Sequence, residues 1–110
     1  MSETTAATRV CALAELLVNQ PHRVVLAGRA VCLVRTADTE VHAIDDTCTH
    51  ADVSLAEGEV EDHTIECWLH GSRFDLVTGQ PTGLPATRPV AVHDVTIDDS
   101  GDVLVAVKEQ

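Results

Sequence analysis

The sequence predicts an all-β fold, an antiparallel β-sandwich or partly open barrel that carries a small inserted subdomain. Apolar residues make up 45% of the chain, yet only 2% of it is aromatic, so Val, Leu, Ile and Ala must build the core. Val and Ile favour strands because their branched side chains fit a pleated surface. Short apolar segments recur at even intervals between turn sequences, and a helical period is almost absent.

Most of the predicted strands are short segments rich in apolar or β-branched residues, with turn residues between them. Residues 13–18 are predicted to form a short helical turn. Gly28-Arg29 forms the turn of a hairpin, Thr78-Gly79-Gln80-Pro81 ends a short strand, and Asp98-Asp99-Ser100-Gly101 is a strong turn signal before the last strand. In order along the chain, the predicted strands cover residues 8–12, 22–27, 30–36, 41–44, 59–62, 63–67, 72–75, 90–97 and 103–107.

The length of 110 residues gives room for a single domain, residues 1–110, with one modest core. Residues 45–86 differ in composition from the rest, because they are rich in Gly, Pro, Asp and His and short of long apolar runs. We therefore expect them to form a small binding subdomain within the larger β framework.

The formal net charge of −11 excludes a general role in nucleic-acid binding, which requires a basic surface. Residues 1–8 are polar and lack the basic and apolar regions of a signal peptide. The longest apolar runs, 24–27 and 30–34, are far too short to cross a membrane. We therefore expect a cytoplasmic protein with no nucleic-acid or membrane partner.

Two short segments carry the chemistry: Cys48-Thr49-His50 and, after residues 51–66, Cys67-Trp68-Leu69-His70. A mononuclear zinc site could use these two thiolates and two imidazoles, but zinc sites usually keep like ligands together in the sequence. Here each loop carries one Cys followed by one His, which suits a binuclear centre with both sulfurs on one metal and both imidazoles on the other. Two His in place of two Cys on one iron distinguish a Rieske [2Fe–2S] centre from an all-thiolate cluster.

Cys48-Thr49-His50 and Cys67-Trp68-Leu69-His70-Gly71-Ser72 closely resemble the two cluster loops of Rieske proteins. The resemblance implies the Rieske fold and one [2Fe–2S] cluster per chain. It assigns the thiolates of Cys48 and Cys67 to the inner iron, and the imidazoles of His50 and His70 to the outer iron. It also implies that three further residues surround the cluster without ligating iron: Gly71, Ser72 and Pro85.

The subtype follows from the residues around these loops. Rieske proteins of cytochrome complexes carry an additional Cys in each loop and join the two in a disulfide, whereas Val53 and Leu69 stand at the corresponding positions here. Arg73-Phe74-Asp75, close behind the second loop, resembles the ferredoxins of bacterial aromatic-ring-hydroxylating dioxygenase systems of the biphenyl, naphthalene and carbazole type.

The resemblance to these ferredoxins implies an electron carrier without catalytic residues of its own. It would be a monomer that takes one electron from an NAD(P)H-dependent flavin reductase and passes it to a terminal Rieske non-haem iron oxygenase. Two alternatives remain open: the small Rieske-type subunit of assimilatory nitrite reductase, and a zinc-binding interaction module.

Other conspicuous residues have less specific expectations. Cys11 and Cys32 lie among apolar residues and should be buried free thiols, and Trp68 should pack beside the cluster. Four histidines match no ligand position and should lie at solvated edges of strands or loops: His22, His42, His63 and His93. Acidic residues flank the first loop, and some of them should rim the exposed imidazoles: Asp45, Asp46, Asp52, Glu57 and Glu59.

Overall fold

The computed structural model describes residues 7–26, 28–47, 53–68, 71–82 and 89–107. Every predicted strand is confirmed, with ends shifted by at most two residues. Two 3₁₀ helices cover Leu13–Glu15, within the predicted helical turn, and Leu55–Glu57, which was not predicted. The strands are β1 (Thr8–Ala12), β2 (His22–Leu26), β3 (Arg29–Ala37), β4 (Glu40–Asp45), β5 (Val60–Glu61), β6 (Thr64–Glu66), β7 (Arg73–Asp75), β8 (Val92–Ile97) and β9 (Asp102–Ala106).

Six strands form one antiparallel sheet in the order β1-β9-β8-β4-β3-β2. The sheet curls until it is nearly closed, which confirms the predicted antiparallel sandwich or partly open barrel. The predicted hairpin joins β2 to β3, and Gly28 adopts the positive φ of +77° that its turn requires. None of the helices in the described part of the chain is long and apolar enough to cross a membrane.

The central strand β3 is buried on both faces. Its residues Val31, Cys32, Leu33 and Val34 are all fully buried. Because successive side chains of a strand point to opposite faces, Val31 and Leu33 enter one apolar core while Cys32 and Val34 enter another. The continuous apolar run of β3 therefore reflects a layer on each side of the sheet.

A second antiparallel sheet has the strand order β5-β6-β7 and follows β4 in the chain. Its first hairpin pairs Glu61 with Thr64 across the two-residue turn Asp62-His63. Both turn residues have positive φ, +50° and +63°, as in a type I′ turn, where Asn-Gly is the usual pair. His63 therefore has a left-handed backbone conformation, which is uncommon for a residue other than glycine.

The small sheet packs on the large one through the core that Cys32 and Val34 enter. The fully buried side chains of this core include Phe74, which is the largest of them. The members of this core are Cys32, Val34, Ile44, Leu55, Ile65, Cys67, Phe74, Leu76 and Val90. The candidate ligand Cys67 thus lies at the junction of the two sheets.

Arg35 on β3 ties the segment after β1 to the sheet. Its guanidinium donates to the carbonyl oxygens of Leu13 at 3.3 Å and Leu16 at 3.0 Å, and to that of Asp38 at 2.7 Å. The backbone carbonyl of Arg35 also accepts a 2.7 Å hydrogen bond from Asn19. The Arg35 guanidinium therefore supplies hydrogen-bond donors to carbonyl groups that lie in turns and have no partner in a strand.

Candidate metal centre

The first candidate loop leaves β4 and is closed at its base by backbone pairing. Thr47 and Ser54 form an antiparallel bridge, and the Leu55 N–H donates to the carbonyl oxygen of Asp46 at 2.6 Å. Cys48 and His50 belong to the segment between these anchors and lie outside the described residues. Their assignment as ligands therefore stays a prediction.

A buried carboxylate reinforces this base. Asp46 is only 2% exposed, and its Oδ2 accepts a 2.5 Å hydrogen bond from Ser54 Oγ while its Oδ1 accepts one of 2.9 Å from the Ala56 N–H. Arg23 of β2 approaches the same carboxylate, with 3.2 Å between Nε and Oδ2. Burial of a charge requires such partners, so Asp46 is a structural residue.

The second candidate loop connects β6 to β7. The Cys67 N–H donates to the carbonyl oxygen of Ser72 at 2.6 Å, and the Gly71 N–H donates to the carbonyl oxygen of Cys67 at 2.9 Å. Gly71 has φ +78°, in the left-handed region that favours glycine, although a Cβ there would meet no atom within 4 Å. Its glycine is therefore required by backbone conformation rather than by space. His70 lies outside the described residues.

Cys67 has the properties expected of an iron–sulfur ligand. It is a free cysteine with no accessible surface, and its backbone N–H and carbonyl are both used within the loop. Cysteine sulfur is the usual ligand of iron–sulfur centres. Ser72, 1% exposed, lies beside it. The described part of the site therefore fits a metal cluster and brings Cys67, Gly71 and Ser72 together.

Pro85, predicted to lie beside the cluster, belongs to residues 83–88, which lie outside the described residues, but the described residues on either side of them are anchored near β7. Before it, the Thr82 N–H donates to the carbonyl oxygen of Arg73 at 2.8 Å. After it, the Val90 N–H donates to the carbonyl oxygen of Gly79 at 2.8 Å. A Cβ on Gly79 would lie 2.1 Å from the Val90 carbonyl oxygen, so this close pairing depends on glycine.

Five acidic residues flank the first loop and some were expected at the rim of the site; two of the five instead make internal hydrogen bonds and ion pairs. One is Asp46, described above. The other, Asp45, accepts two hydrogen bonds from Arg29, at 2.7 and 2.8 Å, and contacts His93 Nε2 at 2.9 Å. Burial raises the pKa of Asp45, but the hydrogen bonds from His93 and Arg29 outweigh burial and lower it to about 2. Glu57 and Glu59 are exposed, as predicted, and Asp52 lies outside the described residues.

The remaining expectations are partly corrected. His93 was expected at a solvated edge, but its side chain is fully buried against Asp45. His42 is also largely covered, at 16% exposure, whereas His22 is exposed as predicted. Trp68 was expected to pack beside the cluster; it is 49% exposed, and its packing on the cluster stays a prediction.

Cys11 and Cys32 are confirmed as buried free thiols. Burial raises the pKa of Cys11 and, more strongly, that of Cys32, so both remain protonated near neutral pH. Their role is therefore that of small apolar side chains in the two cores.

The sequence model of the Rieske [2Fe-2S] domain family matches residues 6–104. The chain belongs to this family. Family membership confirms the predicted fold and implies an iron–sulfur cofactor of the Rieske type. It also argues against the alternative that the four candidate ligands belong to a zinc-binding interaction module.

Known Rieske ferredoxins resemble this Rieske protein over nearly its whole length. Ferredoxin CarAc of Metapseudomonas resinovorans is 37% identical over 98 residues, which cover 89% of this chain and 91% of that protein. The ferredoxin component of biphenyl 2,3-dioxygenase from Rhodococcus jostii is 37% identical over 100 residues, 91% of this chain and 92% of that protein.

This Rieske protein resembles solved structures from two kinds of system, a carbazole dioxygenase and a nitrite reductase. A chain in the complex of reduced oxygenase and oxidised ferredoxin of carbazole 1,9a-dioxygenase superposes with a TM-score of 0.85 at 36% identity, covering 91% of this chain and 92% of that chain. A chain described as a nitrite reductase small subunit from Mycobacterium tuberculosis gives a TM-score of 0.81 at 25% identity, covering 96% of this chain and 97% of that chain.

Proposed function

We propose that this protein is the ferredoxin component of a multicomponent aromatic-ring dioxygenase. The observation that carries the proposal is its 37% identity to ferredoxin components over about nine-tenths of both chains. Such proteins carry electrons and do no bond-making chemistry of their own. The protein would accept one electron from an NAD(P)H-dependent flavin reductase and deliver it to a terminal Rieske non-haem iron oxygenase.

In this proposal each chain holds one [2Fe–2S] cluster. Cys48 and Cys67 would bind the inner iron, and His50 and His70 would bind the outer iron. When bound, the cluster supplies a centre that gains and loses a single electron. The burial of Cys67 supports the inner position, because the thiolate side of the site is shielded from water by the core.

Three residues beside the ligands would shape the surroundings of the cluster. Gly71 lets the second loop turn back on Cys67, Ser72 lines it from the buried side, and Pro85 would cover a third side. The anchored ends of residues 83–88, at Thr82 and Val90, support that position for Pro85. We further propose a single domain over residues 1–110 with a cluster-binding subdomain at about 45–86. The separate sheet β5-β6-β7 within that range supports it.

The proposed partners are the flavin reductase and the terminal oxygenase, and the proposed location is the cytoplasm. The complex of oxygenase and ferredoxin in the carbazole system supports the oxygenase as partner. A net charge of −11 supports basic docking surfaces on both partners and opposes nucleic-acid binding. We propose a monomeric carrier without a membrane partner.

The small subunit of an assimilatory nitrite reductase is the second candidate. This chain shares 25% identity with the nitrite reductase subunit but 36–37% identity with the ferredoxin of the dioxygenase systems. The sequence similarity therefore favours a dioxygenase ferredoxin. The two functions differ in the protein that accepts the electron, which a reconstituted reaction separates directly.

The test combines the purified holoprotein with NADH, a ferredoxin reductase and terminal oxygenases of carbazole and biphenyl type. We expect hydroxylated product only when the protein is present, in proportion to its concentration until another component limits. His70→Ala should abolish the Rieske spectrum and product formation, whereas His22→Ala, at an exposed position of β2, should change neither. Turnover with a nitrite reductase catalytic subunit, and none with either oxygenase, would overturn the proposal.

A further inference from the structure

A second group of metal-ligating side chains lies away from the iron–sulfur loops. The Oε1 atom of Glu40 accepts hydrogen bonds from His63 Nε2 at 2.7 Å, His42 Nε2 at 3.0 Å and Thr36 Oγ1 at 2.5 Å. The hydrogen bonds from Thr36 and His42 are the main cause of a pKa of about 2 for Glu40, so its carboxylate is ionised throughout the neutral range. A carboxylate and two imidazoles therefore meet at one point.

The fold brings these three residues together from both sheets. Glu40 and His42 are two residues apart on β4, so their side chains lie on the same face of the strand. His63 is the second residue of the turn between β5 and β6, and its left-handed backbone directs the ring towards β4. His42 is largely covered, whereas the side chains of Glu40 and His63 are about half exposed, so an ion can enter from solvent.

Two imidazole nitrogens and one carboxylate oxygen are the donors of many zinc sites that keep an open position for water. The three ligand atoms here lie within 4.8 Å of one another. Tetrahedral coordination at about 2.0–2.1 Å places ligand atoms roughly 3.3 Å apart, so only small side-chain movements are needed. The two rings are almost perpendicular, at 87°, with centroids 6.0 Å apart, which lets both approach one ion without a clash.

We propose that Glu40, His42 and His63 form a second metal site that binds one Zn²⁺ or a comparable borderline divalent cation, with water completing its coordination. Since a carboxylate only accepts hydrogen bonds, each Nε2 that points at Glu40 carries its proton there. Binding displaces that proton from Nε2, to Nδ1 or to solvent, which frees the Nε2 lone pair for the ion. The bound ion would join the turn of the small sheet to β4 of the large sheet.

The surroundings favour a cation. Glu61 and Asp62 precede His63 and are exposed, and the whole chain carries a net charge of −11. His63 and Cys67 are separated by β6, and the proposed site shares no residue with the four candidate iron ligands. Zn²⁺ binding at this site can therefore be measured separately from the iron–sulfur centre. It does not depend on the proposed electron-transfer function.

The experiment titrates the oxidised holoprotein with Zn²⁺ by isothermal calorimetry while the Rieske absorption is recorded. We expect one saturable site per chain in the wild type and a rise in melting temperature with Zn²⁺. Glu40→Gln, His42→Gln and His63→Asn should each weaken binding by at least about tenfold, as loss of a ligand requires. Asn tolerates the left-handed backbone at position 63, so the turn is preserved. His22→Gln, at an exposed position outside the cluster, is the matched control.

Electron paramagnetic resonance of bound Cu²⁺ supplies a second measurement, because Cu²⁺ binds nitrogen ligands more tightly than the other first-row divalent ions. The wild type should show hyperfine splitting from two imidazole nitrogens and His63→Asn from one. The proposal is overturned if the wild type lacks a saturable site or His63→Asn binds Zn²⁺ as tightly. It is also overturned if Zn²⁺ uptake bleaches the Rieske absorption, because the ion would then occupy the iron site.

Discussion

The hydroxyl of Ser54 donates a 2.5 Å hydrogen bond to the carboxylate of Asp46, across the base of the loop that carries two candidate ligands. The other carboxylate oxygen accepts the Ala56 N–H, and the backbone carbonyl of Asp46 accepts the Leu55 N–H. One nearly inaccessible aspartate therefore holds both ends of the segment 47–54. The two ends of the segment stay together because their separation would leave the buried carboxylate without two of its hydrogen-bond partners.

Asp46→Ala should therefore impair cluster incorporation as well as stability. It removes two hydrogen bonds to a charged group, each worth about 1.5–3 kcal/mol, so we expect the free energy of unfolding to fall by at least about 2 kcal/mol. Iron and acid-labile sulfide per chain should fall in parallel. Chemical denaturation and metal analysis of the purified protein measure both effects.

Asp98→Ala is the matched control for that experiment. Asp98 Oδ1 accepts the N–H groups of Ser100 and Asp102 in the turn between β8 and β9, away from both ligand loops. Its loss should lower stability without changing iron content. Full cluster content in Asp46→Ala would show that the loop keeps its shape without this carboxylate.

Local sequence patterns predict the strands because turn residues and short apolar segments mark where each strand begins and ends. The apolar run of β3 and the glycine before it suffice to predict the first hairpin, which the structure confirms, although Arg29 was expected in the turn and instead pairs with Leu26 as the first residue of β3. The Cys-x-His and Cys-x-x-His spacings likewise predict a binuclear centre from two short segments.

The inward orientation of Asp45, Asp46 and His93 could not be predicted in this way. His93 is 48 residues from Asp45 in sequence, and Arg29 is 16 residues from it, so only the sheet order brings them together. In a chain with 18 acidic residues, nothing in the local pattern distinguishes a buried carboxylate from a solvated one. The cluster around Glu40 was missed for the same reason, because His63 reaches it from a different sheet.

Asp45 should contribute to the decrease in the free energy of unfolding at acidic pH. Its pKa is lowered from 3.8 to about 2 in the folded protein, so its contribution is fully present above 3.8 and is lost as the pH falls towards 2. Asp45→Asn should flatten the fall of the free energy of unfolding in that range and destabilise the protein at neutral pH, because Arg29 and His93 lose an ionised partner.

Urea denaturation of both proteins at a series of pH values, followed by far-ultraviolet circular dichroism, measures this difference. Asp99→Asn, in the exposed turn before β9, should retain the slope of the wild type. Identical slopes for wild type and Asp45→Asn below pH 3.8 would rule out the assigned role of Asp45.

Gly58→Ala should be much more harmful than an ordinary surface substitution. A Cβ at this position would lie 1.7 Å from the carbonyl oxygen of Glu66, the residue before Cys67. The obstacle is backbone rather than a movable side chain, so β6 must shift, at a cost of about 3 kcal/mol or more. We expect partial loss of iron as well, since the second ligand loop begins at the displaced strand.

Gly28→Ala is the control for Gly58→Ala, because it introduces backbone strain without a steric conflict. Gly28 has φ +77°, but a Cβ there would meet nothing within 4 Å, so the expected cost is about 1–2 kcal/mol with full iron content. Chemical denaturation and iron analysis of the two variants give the comparison. Equal stability and equal iron content in both would contradict the close packing of Gly58 on Glu66.

Ser72→Ala should lower the reduction potential of the centre. Ser72 is buried, and its backbone carbonyl accepts the Cys67 N–H, so Ser72 is a close neighbour of the proposed inner ligand. A hydroxyl that donates to a cluster sulfur stabilises the added electron. We expect the wild-type potential in the lower part of the Rieske span, roughly −150 to +300 mV, because Val53 and Leu69 stand where a loop disulfide would brace the cluster and the chain carries a net charge of −11.

Potentiometric titration should show a decrease of several tens of millivolts in Ser72→Ala, where about 59 mV corresponds to a tenfold change for one electron. Ser100→Ala, in the exposed turn between β8 and β9, should leave the potential unchanged. Phe74→Tyr should raise the potential if its hydroxyl reaches a cysteine sulfur, because Phe74 and Cys67 share one core. An unchanged potential in Ser72→Ala would exclude a hydrogen bond from this hydroxyl to the cluster, and a wild-type value well above zero would place the protein with the high-potential Rieske proteins.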